Sequence, residues 1–280
     1  MQSKMYFKKS FLKCGTCSQA VFHLLNSEFG NLKILEEKAS DPFAGGLLKK
    51  GYQCGMLWGG ALAIGYEAGR LYKNDNKAII CASETTLLMQ QSFIKHANSL
   101  DCKDISQCNF ENKLSFIKFI IKTISSGFIF SKCFNLLADW MPEALSIINK
   151  SFNNNINIDS SIYNCAVQVA IKAEATRDEA IAVSGLAGGL GFSGNVCGVL
   201  GAIIYLSSLR LLKHNPDINF SDSTNELEKI ILAFLEITDG EYLCKNISNC
   251  CFASVSEHSN FIYKGGCKIL IEKLAKKSVY

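Results

Sequence analysis

Apolar residues recur at helical spacing along Ala20–Phe29, Lys113–Ile124 and Leu227–Ile237, as they do on one face of a 3.6-residue helix. Strand-type alternation is weak and the chain holds only 3 prolines, so the pattern predicts an all-α protein. Each half reads as four or five helices, with glycine-rich breaks at Ala44–Gly55 and Ala187–Gly198. From Ala180 to Leu209 the chain runs without a charge and carries glycines at GxxxG-like spacing, which has the length of a membrane span. The matching segment of the first half carries Lys49-Lys50, and a glycine-rich turn would leave backbone groups unpaired in lipid. The prediction is therefore two buried helices meeting at a tight turn, against membrane insertion.

The two breaks belong to a longer match. Cys17–Val21 aligns with Cys165–Val169, and Phe43-Ala44-Gly45-Gly46-Leu47 with Leu186-Ala187-Gly188-Gly189-Leu190. Cys54 follows Gly46, and Cys197 follows Gly189, by the same 8 residues. Leu100–Ile105 then matches Tyr242–Ile247, and Phe128-Ile129-Phe130 precedes Cys133 much as Phe261-Ile262-Tyr263 precedes Cys267. The intervals between the four matched cysteines are 37, 48 and 31 residues in one half and 32, 47 and 23 in the other. A period this long predicts duplication of a whole domain. The expected architecture is two homologous helical domains, 1–150 and 151–280, packed as a pseudo-dimer and joined by the polar stretch Asn149–Ser161.

Composition narrows the chemistry. The net charge is only +4, and the lysines are scattered instead of forming a patch that tracks a phosphate backbone, so no nucleic-acid partner is expected. Met1–Lys13 lacks the apolar run of a secretory signal, which makes the reducing cytoplasm the expected compartment. There, 13 cysteines point to thiols, metal ligands or catalytic dithiols more than to structural disulfides. No phosphate loop, serine nucleophile elbow or His-Glu-x-x-His motif is present, so any enzymatic activity would be of oxidoreductase type.

The candidate site residues are Cys17, Cys54, Cys102 and Cys133 in the first half and Cys165, Cys197, Cys244 and Cys267 in the second. Several follow a polar residue or glycine that suits an N-cap: Thr16, Asn164, Ser131 and Gly265-Gly266. A thiol in the first helical turn feels the positive end of the dipole, which favours the thiolate. Cys14-x-x-Cys17 is a further candidate dithiol. Cys81, Cys108, Cys250 and Cys251 find no partner in this alignment and read as core or incidental, although Cys250-Cys251 offers a substitute ligand. His96 and His258 are alternate ligands by position, with surface placement expected for both.

With these residues in place, each half resembles the C_GCAxxG_C_C family of redox-active proteins. The four cysteines of each half match those of the pattern, and Gly59 matches its later glycine, while Gly201 falls one residue early. Both halves depart from it at Met56 and Val199, where the family usually has alanine. The resemblance implies a redox role in which iron–sulfur binding is suspected. Haem is not implied, since Ser18 stands where the attachment motif needs histidine.

The reading that follows is electron transfer through cysteine-ligated iron–sulfur clusters with an unidentified redox partner protein. One alternative is a metal-free thiol/disulfide protein using pairs such as Cys17 and Cys54. The other is a structural zinc or helical interaction module.

Overall fold

The computed structural model describes residues 3–154, 161–220 and 225–278. Among them every regular element is helical, and the two isolated β-bridges join Gln53 to Asp101 and Val196 to Leu243. The N-terminal half comprises α1 (Lys4–Cys14), α2 (Cys17–Glu28), α3 (Ile34–Ala39), α4 (Gly55–Leu71), α5 (Asp75–Ala97), α6 (Cys102–Ser106), α7 (Lys113–Ser125) and α8 (Lys132–Phe152). The C-terminal half comprises α9 (Cys165–Lys172), α10 (Arg177–Ala182), α11 (Gly198–His214), α12 (Asn225–Ile237), α13 (Cys244–Ser248), α14 (Val255–Tyr263) and α15 (Lys268–Ala275). Short 3₁₀ turns at Asp41–Phe43 and Ser184–Leu186 follow α3 and α10.

The expected four or five helices per half are thus eight and seven among the described residues. Part of the surplus is α3, α6, α10 and α13, which have five or six residues each. Elements under two turns are too short for apolar periodicity to register. Side-chain caps fix several of the starts. Asn74, Asn112 and Asn164 accept from N–H groups in the first turns of α5, α7 and α9, and Thr176 with Glu179 closes a capping box on α10. Of the expected linker, Asn149–Phe152 continue α8 with Ser151 buried, and residues 155–160 lie outside the described residues.

The charge-free segment divides as its glycines dictate: the end of α10, a 3₁₀ turn, an open loop, then α11. No helix among the described residues is long and apolar enough to cross a membrane.

One continuous core contains buried side chains from both halves. Its centre is α4 and α11, whose apolar residues are nearly all buried. The α2 helix packs on α4 and α9 on α11, while α3 lies on α11 and α10 on α4. The short helix before the glycine-rich loop of each half therefore covers the central helix of the other. At the crossing, Trp58 is fully buried and its ring fills the space above Gly201, where a Cβ would stand 2.4 Å from the ring. Gly201 is thus not a displaced copy of Gly59. It makes room for the tryptophan that occupies the same register in the other half. Tyr205 donates to Tyr66 at 3.0 Å nearby.

The loops before α4 and α11 follow the same path. Gly45, Gly46, Leu47, Leu48 and Lys49 all have positive φ, as do Gly188, Gly189, Leu190, Gly191 and Phe192, which gives a single left-handed turn in each loop. Glycine is required at Gly46 and Gly189. With φ at 80° and 84°, a Cβ there would meet the backbone of Tyr52 at 2.4 Å and of Asn195 at 2.6 Å.

Candidate polythiol sites

All eight predicted cysteines lie at helix starts, including the four for which the sequence offered no cap. Cys17, Cys102, Cys165 and Cys244 are the first residues of α2, α6, α9 and α13, and Cys133 is the second of α8. Cys54, Cys197 and Cys267 are the N-caps of α4, α11 and α15.

Backbone pairing brings distant cysteines together. Cys54 N–H donates to Leu100 O at 2.8 Å, and Cys102 N–H to Tyr52 O at 2.6 Å. In the other half Cys197 N–H donates to Tyr242 O at 2.9 Å, and Cys244 N–H to Asn195 O at 2.6 Å. Each glycine-rich loop is therefore stitched to the segment carrying the third cysteine. The two loops also meet each other: Gln53 Nε2 donates to Gly189 O at 2.8 Å, Asn195 Nδ2 to Asp101 Oδ1 at 2.9 Å, and the Tyr52 and Tyr242 rings lie 4.9 Å apart.

In the N-terminal half, Cys54 feels the charges of Cys17, Cys102 and Cys133, and Cys102 those of Cys17 and Cys133. In the C-terminal half, Cys244 feels Cys197, Cys165 and Cys267. Each set of four is thus close enough for its members to oppose one another's ionisation.

The expected thiolates do not form by dipole alone. Burial pushes Cys133 and Cys267 up to about 12 and Cys197 to about 11, and it raises Cys102, Cys165 and Cys244 as well. Desolvating a lone thiolate costs more than a partial helix charge returns, and two of the helices concerned have only one turn. Cys17 is the exception. The Cys54 thiol donates to its sulfur, amides of Gly45 and Ser18 add to this, and its pKa falls while that of Cys54 rises. Of the pair, Cys17 is the sulfur that ionises more readily. The equivalent amides, Gly188 and Ala166, reach Cys165, and those of Val199 and Leu200 reach Cys197. At Gly55 a Cβ would stand 2.7 Å from Cys17 Sγ, so the glycine after Cys54 keeps space around the sulfur.

A fifth thiol joins each set, outside the four matched positions. Cys108 acts on Cys102 and Cys133, and Cys250 acts on Cys267. The local geometry repeats: Ser106 Oγ donates to Cys102 O at 2.6 Å and accepts from Cys108 N at 3.2 Å, while Ser248 does the same with Cys244 and Cys250 at 2.7 and 3.2 Å. Gln107 and Asn249 take the left-handed conformation between them. The signal was present in Cys-Lys-Asp-Ile-Ser-Gln-Cys, residues 102–108, against Cys-Lys-Asn-Ile-Ser-Asn-Cys, residues 244–250.

Other cysteines stand apart. Cys81 is a core residue facing Thr85 and Tyr72, and Cys251 is exposed. Cys14 ends α1 with its thiol toward Glu37. His96 is exposed and pairs with Glu143 at 2.8 Å. His258 is not at the surface as expected but buried between Phe192 and Phe252, because α14 turns it inward. Burial lowers its pKa to about 4.

The fold and these sites define a helical protein with a largely buried set of thiols at helix starts in each half. Residues 15–139 match the family model described as “Putative redox-active protein (C_GCAxxG_C_C)”. The match takes in Cys17, Cys54, Cys102 and Cys133 and ends before the second set. No curated protein and no solved structure matches the chain.

Proposed function

We propose that residues 1–150 and 151–280 are copies of one cysteine-bearing unit and that each copy holds an iron–sulfur cluster for electron transfer with a partner protein. The observation that carries this is the gathering of four thiols at helix starts in each half, with N–H groups reaching sulfur. The donor chemistry fits: clusters are ligated by thiolates and tuned by burial and N–H···S bonds. Cys17, Cys54, Cys102 and Cys133 would hold one cluster, and Cys165, Cys197, Cys244 and Cys267 the other. A bound cluster supplies one-electron redox chemistry. The chain's own part is to exclude water, to supply amide donors and to leave Cys17, Cys133 and Cys267 half-buried as the edge nearest a partner. Such chemistry suits a reducing compartment such as the cytoplasm.

Spacing weighs against the zinc alternative. A single zinc ion bonded at about 2.3 Å draws its sulfurs to roughly 3.8 Å from one another. Among the described residues no three of these cysteines place their sulfurs within 4.8 Å of one another. A cluster in which several metal ions each take one thiolate needs a wider spread.

A second reading has its own support, the pairing of Cys54 with Cys17 that lowers the Cys17 pKa. The Cys17 thiolate would attack a partner's disulfide and release one partner thiolate. Cys54, giving up its proton, would then displace the second, leaving a Cys17–Cys54 disulfide and a partner dithiol, a transfer of two electrons. Anaerobic purification separates the readings. Iron with equimolar acid-labile sulfide supports the cluster. Colourless protein that fails reconstitution and shows one paired two-electron step against a redox buffer supports the dithiol.

A further inference from the structure

Three donor groups outside the polythiol sites converge beside α2. Cys14 is the last residue of α1, His23 lies in the second turn of α2, and Glu37 lies in α3. Their ligand atoms all lie within 4.8 Å of one another, and His23 Nδ1 is 2.9 Å from Glu37 Oε2. The His23 and Glu37 side chains are 22% and 15% exposed, shielded enough to favour coordination and open enough to admit an ion.

The other half shows that the fold does not need these residues. In the register set by Cys17 and Cys165, Cys14 and His23 correspond to Ile162 and Ile171. In the register set by Phe43 and Leu186, Glu37 corresponds to Ala180. All three polar positions are apolar in the same architecture. A shared helical packing need therefore does not explain a thiol, an imidazole and a carboxylate arriving together.

We propose that Cys14 Sγ, His23 Nδ1 and a Glu37 carboxylate oxygen bind one divalent transition-metal ion of the zinc class, with the fourth position open to solvent. Mixed sulfur, nitrogen and oxygen donors suit zinc or cobalt(II), whereas calcium and magnesium require oxygen ligands. With bonds of about 2.0–2.3 Å in tetrahedral array, the donors would stand roughly 3.4–3.6 Å apart. Binding then spreads the His23–Glu37 pair by about half an ångström and draws in any donor near the outer limit by about 1.2 Å, both within side-chain reach. Two anionic ligands and one neutral imidazole balance the ion's charge. Without a cation, burial and Glu37 hold the Cys14 thiol up at about 12. Cys14 lies three residues before Cys17, across Gly15 with φ of 85°, so the ion would tether the end of α1 beside the first polythiol site.

The test uses the full chain, reduced and stripped with a chelator, then titrated with cobalt(II) and with zinc. Stoichiometry is read by native mass spectrometry and the cobalt site by its thiolate charge-transfer and ligand-field absorption. C14S, H23Q and E37Q are compared with wild type after circular dichroism has shown equal helicity, and with three variants a single misfolding change leaves the test intact. The wild type should take up one more tightly held equivalent than C14S or H23Q. E37Q should bind that equivalent at least about tenfold more weakly, and H23Q should lose one cobalt component while the rest of the spectrum persists. Equal stoichiometry and affinity in wild type, C14S and H23Q would overturn the site and leave Glu37 as a shared hydrogen-bond acceptor for its two neighbours.

Discussion

In the N-terminal half Cys54 lowers the pKa of Cys17, and Cys14, His23 and Glu37 stand just beyond it. In the C-terminal half Cys165 is raised by burial, and Ile162, Ile171 and Ala180 occupy the neighbouring register. Loop path, backbone pairing and the placement of five thiols are alike in the two, whereas the electrostatic surroundings differ. Position and reactivity are therefore separable in this fold. Glycine-rich turns and short helices place the sulfurs, and the residues behind them decide which sulfur carries charge.

The largest effect expected on this comparison comes from the crossing that joins the halves. Trp58→Ala removes a fully buried ring and should cost about 3–5 kcal/mol in urea unfolding. Gly201→Ala pushes a methyl into the same ring and should cost about 1–3 kcal/mol. The double variant should be more stable than the sum of the two losses predicts, because the added methyl then enters the space the ring has left. Strict additivity would mean that the contact does not join the halves.

Next in size is a pH effect confined to the C-terminal half. His258 has its pKa lowered to about 4 from an ordinary 6.5. Between those values the unfolded chain binds the proton that the folded chain refuses. The stabilisation is thus complete above 6.5 and is lost as pH falls toward 4, by about 3 kcal/mol in all. Unfolding free energy measured across that window should flatten in H258Q. An equally steep fall in the variant would place the titrating group elsewhere.

The smallest effect sharpens the contrast between equivalent thiols. In metal-free protein under mild maleimide labelling near neutral pH, Cys17 should react at least about tenfold faster than Cys165, since the thiolate is the nucleophile. C54S should narrow that gap. Equal rates read by peptide mass mapping would remove the distinction between the two sites.

Much of this was legible in the residues. The helical class, the glycine-rich breaks and the eight cysteines followed from apolar spacing and from matched motifs, because these features act locally. The short helices α6 and α13 were not legible, since they are set by backbone pairing with Tyr52 and Asn195 rather than by periodicity. Cys108 and Cys250 are legible too, since Ser-Gln-Cys after Ile105 matches Ser-Asn-Cys after Ile247. The depressed Cys17 could not be read, for it depends on which neighbour's proton points at it. Nor could the burial of His258, which depends on Phe192 and Phe252 arriving from separate loops. The other thiols are raised where the helix dipole alone would lower them, because desolvation outweighs the dipole once tertiary packing closes.

The most direct test of the central claim is iron and acid-labile sulfide per chain in anaerobically purified wild type, C54S, C197S and the double variant, each with matched circular dichroism. Two equivalent cysteine-held clusters predict that each single variant loses about half of the wild-type iron and that the double variant loses nearly all of it. Full iron retained in both single variants, or wild-type protein that holds none after reconstitution, would contradict the account.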